Sequence, residues 1–337
     1  MADLSTTYMG LKLKNPLISG ASNLALDLKK IKAMEEAGIG AIVYKSLFEE
    51  QINLESAQMD DDLHLYDDRH AEMIRIHPNI KHAGPKEFLI QLKKIKQSTS
   101  IPIIASLNAI YIETWVEYAK LIEETGVDAL EINLYTIPKN FDQKGNDYEN
   151  MQLEIVKTIK KSIKIPLTVK LSSTYSNPLN FIFEIDKLKV DGVVLFNRFF
   201  EPDIDIISEK HLSPFNLSKK GDFGNSLRYT GLLYGNIRSD ISSSSGIFDG
   251  DDVIKMILAG ATTVQVVSTL YKNKISHITT ILNDINLWMD KKGYTSIDDF
   301  RGKLSRKNTN DPYVYKRAQY VDILLNSSEK LLKNYQL

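Results

Sequence analysis

Along most of this chain, short continuous runs of apolar and β-branched residues alternate with longer stretches in which apolar residues recur every three to four positions. The short runs fall at residues 16–19, 41–44, 103–106, 129–133, 167–170, 192–196, 240–242 and 263–267. Continuous rather than alternating hydrophobicity is the pattern of strands buried on both faces. The longer stretches, at 28–37, 87–97, 114–124, 152–162, 179–187 and 251–258, carry the helical period. Three of them stop at Ala37-Gly38, Thr125-Gly126 and Ala259-Gly260, and each stop leads within a few residues into a strand. Glycine just past a helix supplies the left-handed stop. About eight β-then-α units with no clear boundary between them predict a (β/α)8 TIM barrel, with a doubly wound open sheet as the alternative.

Three segments exceed a minimal barrel. Residues 49–85 form a charged insertion after the second barrel strand, with Asp60, Asp61 and Asp62 in a row. Such a charge run is ordinarily a solvated face, but its place beside the barrel mouth makes it a candidate lid. Residues 138–150, after the fourth strand, form a polar loop and a second candidate lid. Residues 306–337 add a C-terminal helical extension whose apolar stripe (Tyr320, Ile323, Leu324, Leu331) is expected to pack on the barrel or on a partner subunit. The expected division is a barrel over 1–304 and an extension over 305–337.

Composition narrows the function classes. A length of 337 residues suits one barrel of about 250 residues plus extensions. A formal net charge of −1 argues against electrostatic capture of nucleic acid or of an anionic membrane. With no cysteine, a disulfide framework and thiolate metal sites are excluded. The six histidines (His64, His70, His77, His82, His211, His277) show no i, i+4 ligand pair, so no metal is expected. No apolar span approaches about 18 residues and the N-terminal stretch lacks a signal-peptide run, so a cytoplasmic protein is expected.

In a barrel the chemistry sits at the C-terminal strand ends. The stretch 242–270, SSSSGIFDGDDVIKMILAGATTVQVVSTL, reads as a small-residue turn, a helix and a strand ending at Ser268-Thr269, two features that in succession can grip a phosphate. The first strand ends in SGASN at 19–23, small residues that either make a simple turn or lie against a planar ring. Lys45 follows the second strand and Lys170 ends the fifth; each either snorkels to solvent or serves a ligand, since an unpaired buried ammonium is costly. Asn133 ends the fourth strand, and Asn197 with Arg198 follows the sixth. Two lysines, two amides and a guanidinium in register point to an anionic or carbonyl-rich ligand. A dinucleotide fingerprint is absent, so a cofactor held through one phosphate fits better than NAD.

From about Gly10 to Leu304 the chain resembles the soluble, FMN-dependent dihydroorotate dehydrogenases. The resemblance is carried by NPLISGAS at 15–22, YKS at 44–46, EINL at 131–134, VKL at 169–171, FN at 196–197 and GN at 224–225. It continues through SGIFDGDD at 245–252, LAGATTVQVVSTL at 258–270 and YTSIDDFRGKL at 294–304. It implies a (β/α)8 barrel that oxidises dihydroorotate to orotate in pyrimidine biosynthesis by hydride transfer to FMN, in a homodimer. It implies FMN contacts from Ala21, Ser22, Lys45, Ser46, Ser106, Asn133, Lys170, Gly224, Ser245, Gly246, Ser268 and Thr269. Substrate contacts would come from Lys45, Asn133 and Asn197, and Lys45 would touch both ligands; Arg198 stands where the family has serine or another small residue and is a further substrate-contact candidate, able to meet a carboxylate. The sequence also departs from the family. Thr136 stands where the family has a cysteine or serine base, and a substrate loop survives only as Pro78-Asn79 within MIRIHPN at 73–79. The flavin half of the site is therefore largely kept and the substrate half largely rewritten. The alternatives are an FMN oxidoreductase for another small anionic or amide-bearing compound, a flavin-binding protein that has lost turnover, and a barrel without FMN.

Overall fold

The computed structural model describes residues 2–53, 85–135, 137, 141–199, 201–212, 217–311 and 313–325. Eight parallel strands close a barrel in the order β11-β12-β3-β4-β5-β6-β7-β8. These are β3 (Leu17–Ser19), β4 (Ala41–Phe48), β5 (Ile103–Asn108), β6 (Ala129–Asn133), β7 (Leu167–Leu171), β8 (Gly192–Leu195), β11 (Asp240–Ser243) and β12 (Thr263–Val266). Each predicted run forms a strand, and every described residue of β5, β7, β8 and β12 is buried, as continuous apolar runs require. The expected (β/α)8 barrel is the fold.

Two antiparallel hairpins lie outside the barrel sheet and are not evident in the hydrophobic pattern. In the first, β1 (Thr6–Tyr8) pairs with β2 (Leu11–Leu13) across Met9-Gly10. Both turn residues have positive φ, 53° and 79°, the two-residue turn whose twist suits a tight hairpin. This hairpin plugs the N-terminal end of the barrel. Tyr8 is wholly buried, with its hydroxyl 3.0 Å from Thr168 Oγ1, and burial pushes its phenol far up. A Cβ at Gly192 would lie 3.0 Å from the Tyr8 hydroxyl, so only glycine leaves room for the plug. With one end filled by Tyr8, Met9 and Leu13 packed on Ile18, Val43 and Ile104, a ligand has access from the other end only. The second hairpin, β9 (Asp203–Asp205) with β10 (Lys210–Leu212), stands off the barrel after β8.

The strand β4 runs four residues past its predicted end, and its pairing with β5 shifts register between Val43 and Ser46. Tyr44 and Lys45 together oppose one residue of β5, the geometry of a bulge, which re-aims side chains and recurs beside active sites. Tyr44 faces outward onto Phe88, while Ser46 returns to the interior and meets Ser106, the two hydroxyls 2.6 Å apart.

Just beyond β4, Glu49 is almost fully buried and accepts hydrogen bonds from the amides of Ile110 and Tyr111 and from the Thr114 hydroxyl. The helix Ile112–Glu124 has no capping side chain at Tyr111, and Glu49 instead holds the helix entry, through the two amides that lead into it and the Thr114 hydroxyl of its first turn, with its charge at the helix N-terminus. Glu49→Ala is expected to lower unfolding stability by about 1 to 3 kcal/mol, since three donors at the helix entry would lose a charged acceptor. Urea denaturation of the two proteins measures this.

The candidate lid over 49–85 lies outside the described residues from 54 to 84. In the second, residues 145–150 already belong to the helix Gly145–Ser162 rather than to a loop. The C-terminal helix Arg317–Leu325 has no buried residue, and Tyr320, Ile323 and Leu324 are each more than half exposed. Among the described residues the chain's own barrel therefore does not cover that stripe; Leu331 lies outside them. Upstream of it, Tyr315 donates to the Leu304 carbonyl and packs its ring against Gly231, tying the extension to the barrel.

Candidate active site

The barrel mouth is assembled from inward-facing positions at the ends of β4, β6, β7, β8 and β12. Lys170 on β7, Glu131 on β6 and Gln265 on β12 converge inside it, all three buried. Lys170 Nζ donates to Gln265 Oε1 at 3.3 Å, and Gln265 Nε2 donates to Glu131 Oε2 at 2.6 Å. Lys170 Nζ stands 3.7 Å from Glu131 Oε1, which accepts no hydrogen bond among the described residues. Lys45 is half-buried on the β4 bulge, and no hydrogen bond or ion pair holds its ammonium among the described residues. Burial pushes its pKa below the ordinary lysine range.

The two predicted amides meet. Asn197 Nδ2 donates to Asn133 Oδ1 at 3.0 Å, and Asn197 Oδ1 accepts from the Arg198 amide at 2.9 Å. Both are half-buried, which leaves the Asn133 amide group as a donor at the mouth. Arg198 is placed at the rim, its guanidinium held by Asp222 at 3.0 Å and Glu201 at 2.9 Å. These two carboxylates already offset its charge. Thr136 lies outside the described residues, as do Pro78 and Asn79.

The two halves of the predicted phosphate grip also come together. After β11, Ser245 and Gly246 both have positive φ, 74° and 69°. A non-glycine residue there costs on the order of 1 kcal/mol or more, and such strain clusters at ligand clamps. Ser245 Oγ holds the turn by donating to the Phe196 carbonyl at 3.0 Å. A Cβ on Gly246 would sit 2.6 Å from the Asp222 amide nitrogen, so the turn is pressed against residues 219–222. After β12, Ser268 and Thr269 open the helix Ser268–Asn273, whose first amides have no acceptor within the helix. Thr269 Oγ1 donates to the Phe248 carbonyl at 2.9 Å and ties the second half to the first.

Ser218, which the sequence does not flag, joins the two halves. Its hydroxyl accepts from the Gly246 amide at 3.3 Å and donates to Ser268 Oγ at 2.7 Å, and its own amide donates to the same oxygen at 3.0 Å. Ser268 Oγ thus accepts twice, and its remaining proton is free to point at an anion. Lys272 donates to the Ser218 carbonyl at 3.0 Å, which sets a cation beside the same turn. This donor set suits a phosphate.

The other predicted cofactor contacts line the same end. Ala21 and Ser22 follow β3, and the buried Ser22 Oγ has no hydrogen-bond partner among the described residues. Ser46 and Ser106 satisfy each other. Gly224 begins the helix Gly224–Leu233 at an exposed position with open space around it, so nothing in its packing demands a glycine. Buried Ser226, two residues on, contacts the Leu195 and Ser244 carbonyls and fixes that helix against the strand ends. No group of three metal-ligating side chains occurs among the described residues, and no helix among them is long and apolar enough to cross a membrane.

Comparison with known proteins gives a consistent picture. A family model described as dihydroorotate dehydrogenase matches residues 3–289. The dihydroorotate dehydrogenase B (NAD(+)) catalytic subunit of Thermoplasma acidophilum is 29% identical over 311 residues, spanning 90% of this chain and 99% of the relative. The protein of the same name from Methanocaldococcus jannaschii is 24% identical, spanning 86% and 96%. A putative dihydroorotate dehydrogenase A (fumarate) of Aeropyrum pernix is 25% identical, spanning 90% and 98%.

Proposed function

Because the chain belongs to the dihydroorotate dehydrogenase family, we propose that it oxidises dihydroorotate to orotate in pyrimidine biosynthesis, with FMN as its flavin. The observation that carries the substrate reading is the Asn197–Asn133 pair, two amides hydrogen-bonded side by side at the mouth. A dihydropyrimidine presents amide N–H and C=O edges, and paired amides offer the complementary donors and acceptors. Lys45, without an ion-pair partner among the described residues, supplies the cation for an anionic substrate.

FMN suits the residues present. The phosphate falls to Ser245, Gly246, Ser268 and Thr269, where the free Ser268 proton and the first amides of the helix Ser268–Asn273 want an anion. Ala21, Ser22, Ser46, Ser106 and Gly224 would contact the cofactor, and Lys170 would hydrogen-bond the flavin ring. When bound, FMN supplies the acceptor for the hydride that leaves C6 of the substrate.

The chain's own residues do the rest. Lys45 binds the substrate's negative charge, and Asn133 and Asn197 orient its ring so that C5 and C6 present the correct face. Thr136 Oγ1 takes the C5 proton as the candidate base. A hydroxyl has a very high pKa, so this transfer depends on neighbours that accept the threonine proton in turn. Lys170 lends positive charge where negative charge develops. Arg198, held by Asp222 and Glu201, borders the site from the rim. We further propose that residues 1–304 form the FMN-binding barrel, that 305–337 form an extension, and that the protein is a homodimer.

Two results bear on this. Gly246→Val is expected to lower FMN affinity at least tenfold, with riboflavin affinity little changed, because the added side chain disrupts only the phosphate turn; fluorescence titration with both flavins measures it. Orotate formation from dihydroorotate, followed by chromatography with an artificial electron acceptor present, tests the activity. Oxidation of other dihydropyrimidines with none of dihydroorotate would move the assignment to a different amide-bearing substrate.

A further inference from the structure

We propose that Glu131 and Gln265 are positioning residues that set how much positive charge Lys170 presents to the flavin, and so tune the reduction potential of the bound cofactor. This rests on the assignment of Lys170 as a ring contact. Three different strands, β6, β7 and β12, deliver these groups to one point inside the barrel, with Glu131 fully buried and Gln265 2% exposed. The order of the chain is fixed by chemistry. An ammonium only donates and a carboxylate only accepts, so Gln265 must turn Oε1 to Lys170 and Nε2 to Glu131.

The distances show an interaction that is deliberately incomplete. The Gln265–Glu131 bond is short at 2.6 Å, while Lys170 is held at 3.3 Å by Gln265 and at 3.7 Å by the carboxylate. Charge-assisted N–H···O bonds ordinarily close to about 2.7 to 2.9 Å. Glu131 therefore offsets the lysine charge electrostatically without consuming its donors, and at least two N–H groups of Lys170 stay available to a ligand. Glu131 Oε1 accepts no hydrogen bond among the described residues although it is buried. An unsatisfied buried carboxylate oxygen is costly, and replacing a buried ion pair by apolar residues is often neutral or stabilising. Stability alone does not account for the trio. Gly20 closes over it from β3, since a Cβ there would lie 3.3 Å from Gln265 Oε1 and 2.9 Å from Val267 Cγ2. The Gly20 backbone therefore lies close to the Gln265 side chain, with no room for a larger residue between them.

A positive charge near the ring favours the reduced cofactor, and the Glu131 carboxylate opposes that effect. Removing the carboxylate charge without changing shape should raise the potential, and removing the amide spacer, so that Lys170 closes onto the carboxylate, should lower it. The test is the redox midpoint of FMN-loaded wild type, Glu131→Gln and Gln265→Leu, titrated against a reference dye. The expected result is opposite shifts, upward for Glu131→Gln and downward for Gln265→Leu. Each should change the reduced-to-oxidised ratio at least tenfold, about 30 mV for a two-electron couple. General damage to the barrel moves both variants the same way, so shifts of one sign, or none, overturn the proposal. If one variant fails to retain FMN, the direction in the other decides. Lys170→Met separates the two levels. If it leaves the potential unchanged, the assignment of Lys170 to the ring falls; if it lowers the potential while the neighbouring variants do nothing, only the role of Glu131 and Gln265 falls.

Discussion

The Thr136→Val protein, loaded with FMN and mixed anaerobically with dihydroorotate, is expected to reduce its flavin about 100- to 10,000-fold more slowly than wild type, the usual weight of a general base. Valine keeps the β-branched shape of threonine and removes only the hydroxyl, so folding and flavin binding should persist. Dithionite should still reduce the variant's flavin at the wild-type rate, which separates a lost base from a damaged cofactor site. Thr136→Ser should retain most of the activity, because serine offers the same oxygen with more rotamer freedom. Stopped-flow absorbance measures all three proteins. Equal reduction rates in Thr136→Val and wild type would remove Thr136 from the chemistry.

The second large effect is expected at Lys45. Lys45→Met should raise the KM for dihydroorotate about 10- to 100-fold, the value of a hydrogen bond to a charged group. Its pH dependence carries a signature. Burial lowers the Lys45 pKa, so the site loses its cation at a lower pH than an ordinary lysine would. The wild-type KM should therefore begin to rise on the alkaline side before the normal lysine range is reached, and Lys45→Met should abolish that limb. Folding responds with the opposite sign. Through the window between the lowered pKa and the ordinary value the unfolded chain binds more protons, so stability gains from rising pH. Initial rates across pH measure the first effect.

The barrel itself was legible because its strands are buried on both faces and its helices end on glycine. Ala37-Gly38, Thr125-Gly126 and Ala259-Gly260 each mark the end of a real helix. The hairpins were not legible from hydrophobicity, since three-residue strands such as Thr6–Tyr8 and Leu11–Leu13 are too short to show a period. Met9-Gly10 held the only hint, a pair able to take positive φ.

Among site residues, those that follow an apolar run were readable. Lys45, Asn133, Lys170 and Asn197 all stand at strand ends of one mouth. The bulge that aims Lys45 was hidden, because one extra residue in a strand leaves the apolar run unbroken. Glu131 and Gln265 carried a signal in plain sight, a charge and an amide inside otherwise apolar strands, where burial requires a partner. That partner is another strand, distant in sequence, and only the closed barrel reveals it. Ser218 had no such signal, since a serine in a polar loop is unremarkable until two hydrogen bonds join it to Ser268. Glu49 was absorbed into a charged insertion, while its actual place is a buried helix cap.

The central claim is that this barrel holds FMN and passes electrons to it from dihydroorotate. The most direct measurement is the visible absorbance of the FMN-loaded protein under anaerobic conditions, before and after dihydroorotate is added without any other donor. The yellow flavin band is expected to bleach and orotate to appear in equal amount. A band that stays unbleached at millimolar dihydroorotate, in protein whose flavin dithionite still reduces, would contradict the claim.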